Sequence, residues 1–191
     1  ISLKEKTKHV SRGGLKLAHA LDEFKIDVSG LIALDIGAST GGFTDCLLQR
    51  GADKVYAVDV GYGQIDYKLR QDTRVITMDR TNARYPFQLP EKVDLATIDV
   101  SFISVTKIIP AISTHLKPSS KIIILLKPQF EAERNEIGKG GIIRDPNVHT
   151  LVIARSVHWL VENNYRFRKL TTSPVLGAEG NREFLVLITT E

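Results

Sequence analysis

The sequence predicts an α/β fold: a mostly parallel sheet covered by helices on both faces. Three observations carry that prediction. Short apolar, β-branched runs recur along the chain. Helical periods or glycine turns separate most of them. Most of the runs end on an aspartate or a lysine, so the chemistry gathers at one edge of the sheet. In parallel sheets ligands bind outside the carboxyl ends of the strands, and the connections are right-handed.

The elements follow in order. Ser11 can cap a helix whose Leu17, Leu21, Phe24 and Val28 share one face and which ends near Gly30. Leu31 to Ile36 reads as a buried strand, Gly37 to Gly42 as a tight turn, and Phe43 to Arg50 as a helix stopped by Gly51. Strands follow at Lys54 to Asp59, Val75 to Asp79, Val93 to Asp99 and Lys121 to Lys127, with a helix over Val105 to Leu116. Pro128 to Asp145 is polar, glycine-bearing and without period, too long for a simple connector. Asp145 and Pro146 start a helix over Val148 to Asn164. Strands near Phe167 to Thr172 and Phe184 to Thr189 lack a helix between them and predict an antiparallel pair at one side of the sheet.

Composition bounds the class. The chain has 191 residues, 42% hydrophobic and 25% charged, enough for one sizeable core. No apolar run approaches the roughly 20 residues that cross a bilayer, and no signal segment opens the sequence. A cytoplasmic protein is expected. The single cysteine, Cys46, rules out an internal disulfide and a cysteine-cluster metal site, and it reads as core. The five histidines are scattered, read as surface or helix residues, and predict no metal site. The net charge is +4, and residues 1 to 16 hold five basic side chains, Lys4, Lys6, Lys8, Arg12 and Lys16, against Glu5 alone. Such a cluster is either a solvated face or a phosphate-contacting arm. Residues 1 to 10 read as a basic linker leading into a domain over 11 to 191.

Asp35-Ile-Gly-Ala-Ser-Thr-Gly-Gly-Phe-Thr-Asp45 sets glycines between a strand and a helix, and Asp59 ends the next strand 24 positions after Asp35. Glycine lets a ligand approach the backbone, and an acid at the second strand end can accept both hydroxyls of a ribose. The spacing is not the dinucleotide pattern, and Asp35 is expected at the mouth, where a pyrophosphate would lie. S-adenosylmethionine, with its ammonium, carboxylate and sulfonium, suits these groups better. The expected donor contacts are Asp35, Gly37, Ala38, Ser39, Gly41, Gly42, Phe43, Asp59, Val60, Asp79, Arg80 and Asp99. Asp79 is placed to accept from an adenine amine. Three acids at one rim would otherwise crowd like charges.

Asp99 and Lys127 end the fourth and fifth strands. The Asn/Asp-Pro-Pro-aromatic stretch common at base N-methyltransferase sites is replaced here by Val100 and Ser101, and Cys46 sits inside a helix, away from a cytosine-attacking position. An aliphatic hydroxyl remains as acceptor. Lys127 could take its proton if burial or a neighbouring cation such as Lys16 made the neutral amine accessible, or could stay charged and orient the hydroxyl.

Ser11-Arg-Gly-Gly-Leu-Lys16, the Asp35 turn, Ile-Asp99-Val-Ser-Phe-Ile-Ser, Leu-Lys127-Pro-Gln-Phe-Glu, Gly138-Lys-Gly-Gly-Ile-Ile-Arg-Asp145 and Gly180-Asn-Arg-Glu183 together resemble the haemolysin A (TlyA) family of FtsJ-like ribosomal RNA methyltransferases. The resemblance runs from about Val10 to the C-terminus. It implies a Rossmann-like class I methyltransferase sheet of seven strands in the order 3-2-1-4-5-7-6, S-adenosylmethionine as cofactor, and a Lys-Asp-Lys-Glu tetrad at Lys16, Asp99, Lys127 and Glu183. It further implies 2′-O-methylation of cytidine in ribosomal RNA, with ribosomal RNA or ribosomal subunits as partners, no stable membrane association, and an upstream S4-type RNA-binding domain. Lys4, Lys6, Lys8, Arg12, Lys139 and Arg144 are the expected RNA contacts. A small-molecule O-methyltransferase, a membrane-acting protein and a non-catalytic RNA-binding protein stay open as alternatives.

Overall fold

The structure is a computed structural model and describes residues 9–190. Seven strands form one sheet in the order β3-β2-β1-β4-β5-β7-β6, as the resemblance implies. They are β1 (Ile32–Ile36), β2 (Lys54–Val58), β3 (Val75–Met78), β4 (Val93–Ile98), β5 (Leu116–Leu126), β6 (Arg166–Thr172) and β7 (Phe184–Thr189). β1 to β5 pair in parallel, whereas β7 runs antiparallel to both β5 and β6.

Alternation along the central strands divides the core between the two faces. Val55, Leu95, Ile123 and Leu185 pack against α1 (Arg12–Phe24) and α2 (Gly42–Gln49). Leu34, Ile36, Ile98, Ile124 and Val186 pack on the other face, against α4 (Ile109–Ser113) and α6 (Pro146–Glu162). Strands buried on both faces read as continuous apolar runs, as residues 122–126 of β5 do.

Local differences from expectation have local causes. α1 ends at Phe24, not near Gly30, because Lys25 takes a left-handed conformation and its N–H closes the last turn on Asp22 and Leu21. Val28 is buried, so it kept the helical period while lying in the connecting segment. Ser11 holds the N-cap position but makes no side-chain cap bond. The helix expected over Val105 to Leu116 is a 3₁₀ turn at Val105–Lys107 followed by the short α4, and Leu116 already belongs to β5. A register shift between Val93 and Leu95 accommodates Pro118 and the left-handed Ser119, which lie between the helix and the strand expected there. Two one-turn helices, α3 (Tyr67–Arg70) and α5 (Pro128–Glu131), were not expected, being too short for a hydrophobic period to show. His9 is buried outside any helix, unlike the surface or helix position expected, whereas His149 is a helix residue, buried on α6, and Cys46 lies in the core.

Candidate active site

The glycine turn between β1 and α2 builds one wall of the site. Gly37 has φ +80°, and a Cβ there would sit 2.3 Å from the Asp99 carbonyl oxygen, so only glycine lets the turn pass beneath the end of β4. On its other side the turn meets α1. A Cβ on Gly42 would come within 3.0 Å of Gly14 N and 3.2 Å of Gly13 Cα. Gly13, Gly14 and Gly42 therefore let the first turns of α1 and α2 touch backbone to backbone, which brings Lys16 over the turn.

Four charged side chains from distant parts of the chain line one cleft of about 630 Å³. Lys16, on the first turns of α1, lies 2.5 Å from Glu183, just before β7. Both are buried, and Gly177 packs so closely on the Glu183 carboxylate that a Cβ would fall 2.1 Å from its Oε1. Lys127, one residue past β5, lies 2.7 Å from Asp99 Oδ1, one residue past β4, and donates to Ser101 Oγ at 2.9 Å. The two strand ends are neighbours because β4 and β5 pair, and β7 beside β5 brings in Glu183. Arg12, Ala38, Gly42 and Phe43 also line this cleft.

A second cavity of about 480 Å³ adjoins the first, and the two share Gly37, Ser39, Asp99, Ser101 and Phe102. Its walls are largely apolar, including Ile36, Val58, Ala83, Ile103 and Ile108, with Asp59, Gln64, Thr81 and Asn82 as polar groups and Val60 at the edge. The Asp59 carboxylate accepts from Ser39 N at 2.8 Å and Gly61 N at 2.7 Å.

Asp35 is not at the mouth. Its carboxylate is fully buried beneath the turn and accepts from Thr44 Oγ1 at 2.7 Å and Thr97 Oγ1 at 3.0 Å. Burial, only partly offset by these bonds, pushes its pKa up to about 6. The rim therefore holds two acids rather than three. Of those two, Asp79 accepts from Gly63 N at 3.1 Å and lies 3.5 Å from Arg70, outside both cavities. Arg80 stacks its guanidinium 4.4 Å over Tyr62, and Gly41, with φ +93°, packs on Leu69, so neither of these lines a cavity.

Lys4, Lys6 and Lys8 lie outside the described residues. Lys139 and Arg144 are exposed and border a separate shallow hollow. That loop is tied to the cleft by Asn181, which is 2% exposed, accepts from Ile143 N and donates to Gly141 O, each at 3.0 Å. Asn181, Phe102 and Phe130 escaped the sequence reading as site residues, although all three lie within the quoted motifs. Phe102 is 91% exposed with φ +63°, and its ring lies 5.0 Å from that of Phe130. A bulky residue held in the left-handed region and exposed on a site rim is an outlier of the kind that marks function.

The FtsJ-like methyltransferase profile matches residues 9–190. The chain is 52% identical to "Putative rRNA methyltransferase YqxC" of Bacillus subtilis, covering 94% of this chain and 65% of that protein. It is 41% identical to "16S/23S rRNA (cytidine-2'-O)-methyltransferase TlyA" of Mycobacterium tuberculosis, covering 95% and 69%. The chain thus spans about two thirds of these relatives. A solved structure titled "Putative hemolysin from Streptococcus thermophilus" superimposes with a TM-score of 0.94 at 45% identity, covering 98% of this chain and 69% of that one. A distant structure titled "Crystal structure of putative S-adenosylmethionine dependent methyltransferase from Listeria monocytogenes" shares the fold alone, with a TM-score of 0.66 at 16% identity, covering 95% of this chain and 100% of that one. The strand order, the profile and these relatives agree: the chain belongs to the FtsJ-like methyltransferase family, which implies S-adenosylmethionine as its methyl donor.

Proposed function

We propose that this domain methylates a ribose 2′-hydroxyl of ribosomal RNA, with cytidine as the acceptor nucleoside. The observation that carries the reading is the convergence of Lys16–Glu183 and Lys127–Asp99 on one cleft that opens, at Asp99 and Ser101, into the second cavity. The names of the relatives from Mycobacterium tuberculosis and Bacillus subtilis support an RNA acceptor.

The second cavity fits S-adenosylmethionine. Its apolar walls suit an adenine, and Asp59 still has lone pairs for ribose hydroxyls after accepting two backbone N–H groups. Asn82 and Thr81, rather than Asp79, are the polar groups available to the adenine edge. Gly37 and Ser39, shared by both cavities, would lie along the amino-acid portion. When bound, the donor supplies an electrophilic methyl carbon on a sulfonium.

The residues of the chain then orient the attacking oxygen. Lys127 is paired with an acceptor-only carboxylate, the arrangement of an ammonium that donates hydrogen bonds. Lys16 is itself neutralised by Glu183 and supplies no free positive charge toward Lys127. The geometry therefore favours Lys127 as the group that holds the hydroxyl oxygen in line, with the hydroxyl proton leaving late to solvent. Alignment of this kind can supply roughly 7–11 kcal/mol of a barrier, more than one proton transfer gives. The exposed Phe102 ring, backed by Phe130, offers a face for a nucleobase, where stacking is worth about 1–3 kcal/mol per base. A small-molecule acceptor would not call for an aromatic face so exposed on the rim of the cleft. No helix among the described residues is long and apolar enough to cross a membrane.

The test is Lys127→Ala in the full-length protein, with ribosomal subunits and a radiolabelled donor. Methyl transfer should fall by about 10²-fold or more while donor binding by calorimetry is retained. Full activity in the variant, or label on a base rather than a ribose, would overturn the reading.

A further inference from the structure

We infer that Ser101 is a positioning residue for methyl transfer, holding the Lys127 ammonium at the passage between the two cavities. The inference rests on the reading above. Lys127 lines only the first cavity, whereas Ser101 lines both and is one of five residues common to them. Its Oγ accepts from Lys127 Nζ at 2.9 Å, on the same loop that presents Asp99 Oδ1 at 2.7 Å from that nitrogen.

An ammonium has three N–H groups and no acceptor. Asp99 alone leaves Nζ free to swing about one contact at the end of a flexible four-carbon stem. Ser101 supplies a second point, so that two N–H groups are committed and the third is left for the incoming hydroxyl oxygen. The other charged groups on this cleft do not do this. Lys16 and Glu183 satisfy each other, while Arg12 and Glu179 line the cleft but are not bonded to Lys127, whose partners are Asp99 and Ser101. The Phe130 ring, 6.0 Å from Nζ, closes one side without offering a directional partner. Ser101 is exposed, and its hydroxyl bonds Lys127 rather than capping the turn that follows, a task taken by Ser104, whose side chain accepts from Thr106 N. No proton or group is transferred to Ser101; its contribution is geometric.

The expected result for Ser101→Ala is a kcat lowered about tenfold or more, with KM for donor and for ribosomal subunits within about twofold of the parent. Ser101→Thr, which keeps the hydroxyl, should restore most of the rate. A readout without donor or RNA accompanies this. The Lys127 ammonium should give a slowly exchanging ¹⁵N–¹H signal in the parent domain, assigned by its loss in Lys127→Arg, and that signal should broaden away in Ser101→Ala. An unchanged kcat, an unchanged ammonium signal, or a threonine variant as slow as the alanine one overturns the inference. So does a raised donor KM at constant kcat, which would make Ser101 a wall of the donor cavity. If Lys127→Ala is inactive while Ser101→Ala is fully active, only the role of Ser101 falls; if Lys127→Ala is fully active, the proposed function falls with it.

Discussion

Aspartates ending adjacent strands look alike in sequence yet do different work. Asp59 faces the second cavity, Asp99 holds Lys127, and Asp35 is enclosed between Thr44 and Thr97 with a pKa pushed up to about 6 by burial. From an ordinary 3.8 to about 6 is roughly 3 kcal/mol of preference for the neutral form. The sign follows from proton counting. Between about pH 4 and 6 the folded state holds the proton that the unfolded chain releases, so this group's contribution to stability falls as pH rises through that window. Above it the full cost of a buried charge is present. Asp35→Asn keeps the shape, and both threonine hydroxyls can donate or accept, so the variant should be more stable than the parent at pH 7.5. That advantage should shrink by about 2 kcal/mol at pH 4.5, read by urea unfolding at the two pH values. Equal differences at both would show that the bonds from Thr44 and Thr97 fully offset burial, leaving the carboxyl with the same proton affinity folded and unfolded. The sequence revealed that an acid stood here, but nothing in it distinguished an acid at the rim from one beneath the turn, because Thr44 and Thr97 reach it only through the pairing of β1 with β4 and the return of α2.

At the scale of elements, the helices and strands longer than about one turn were legible, and so were the strand ends that carry Asp99 and Lys127, because apolar runs stop where the sheet meets solvent. The short segments that join them were not. Glu131 illustrates the loss: in sequence it is one more charge in a polar stretch, yet its carboxylate is half-buried, its pKa raised chiefly by desolvation, and it clamps α5 to the loop after β4. It accepts from Ser104 Oγ at 2.6 Å and Val105 N at 2.9 Å. That loop carries Asp99, Ser101 and Phe102, and α5 carries Phe130 directly after Lys127, so the clamp fixes one half of the site against the other. Glu131→Ala leaves the Val105 N–H without its partner, at a cost of about 1–3 kcal/mol. The Val105 amide should then exchange with solvent much faster, and methyl transfer should slow with donor affinity little changed. Glu131→Gln, which can still accept from Val105 and bond Ser104, should recover most of both. Unaltered Val105 protection in the alanine variant would remove the clamp.

For the molecule as a whole, the sheet order could not be read from periodicity; it entered through the resemblance, and the structure bears it out. That order places β1 and β4 side by side, so the glycine turn after β1 passes beneath the Asp99 carbonyl and joins the two cavities. The donor should therefore brace several elements at once: the turn, the ends of β2 and β4, and the segment after β3. A ligand that binds only the folded state at 100 times its Kd stabilises by about 2.7 kcal/mol. For a domain of this size each kcal/mol moves the midpoint by about 2–4 °C, so saturating S-adenosylmethionine should raise Tm by roughly 5–11 °C. Gly37→Ala should abolish that rise, because the added methyl would press on the Asp99 carbonyl at a φ that alanine resists. The variant will also be less stable without ligand, so the decisive quantity is the difference between its own midpoints with and without donor. A full rise in Gly37→Ala would show that the donor does not lie over this turn, and the division of labour between the two cavities would have to be redrawn.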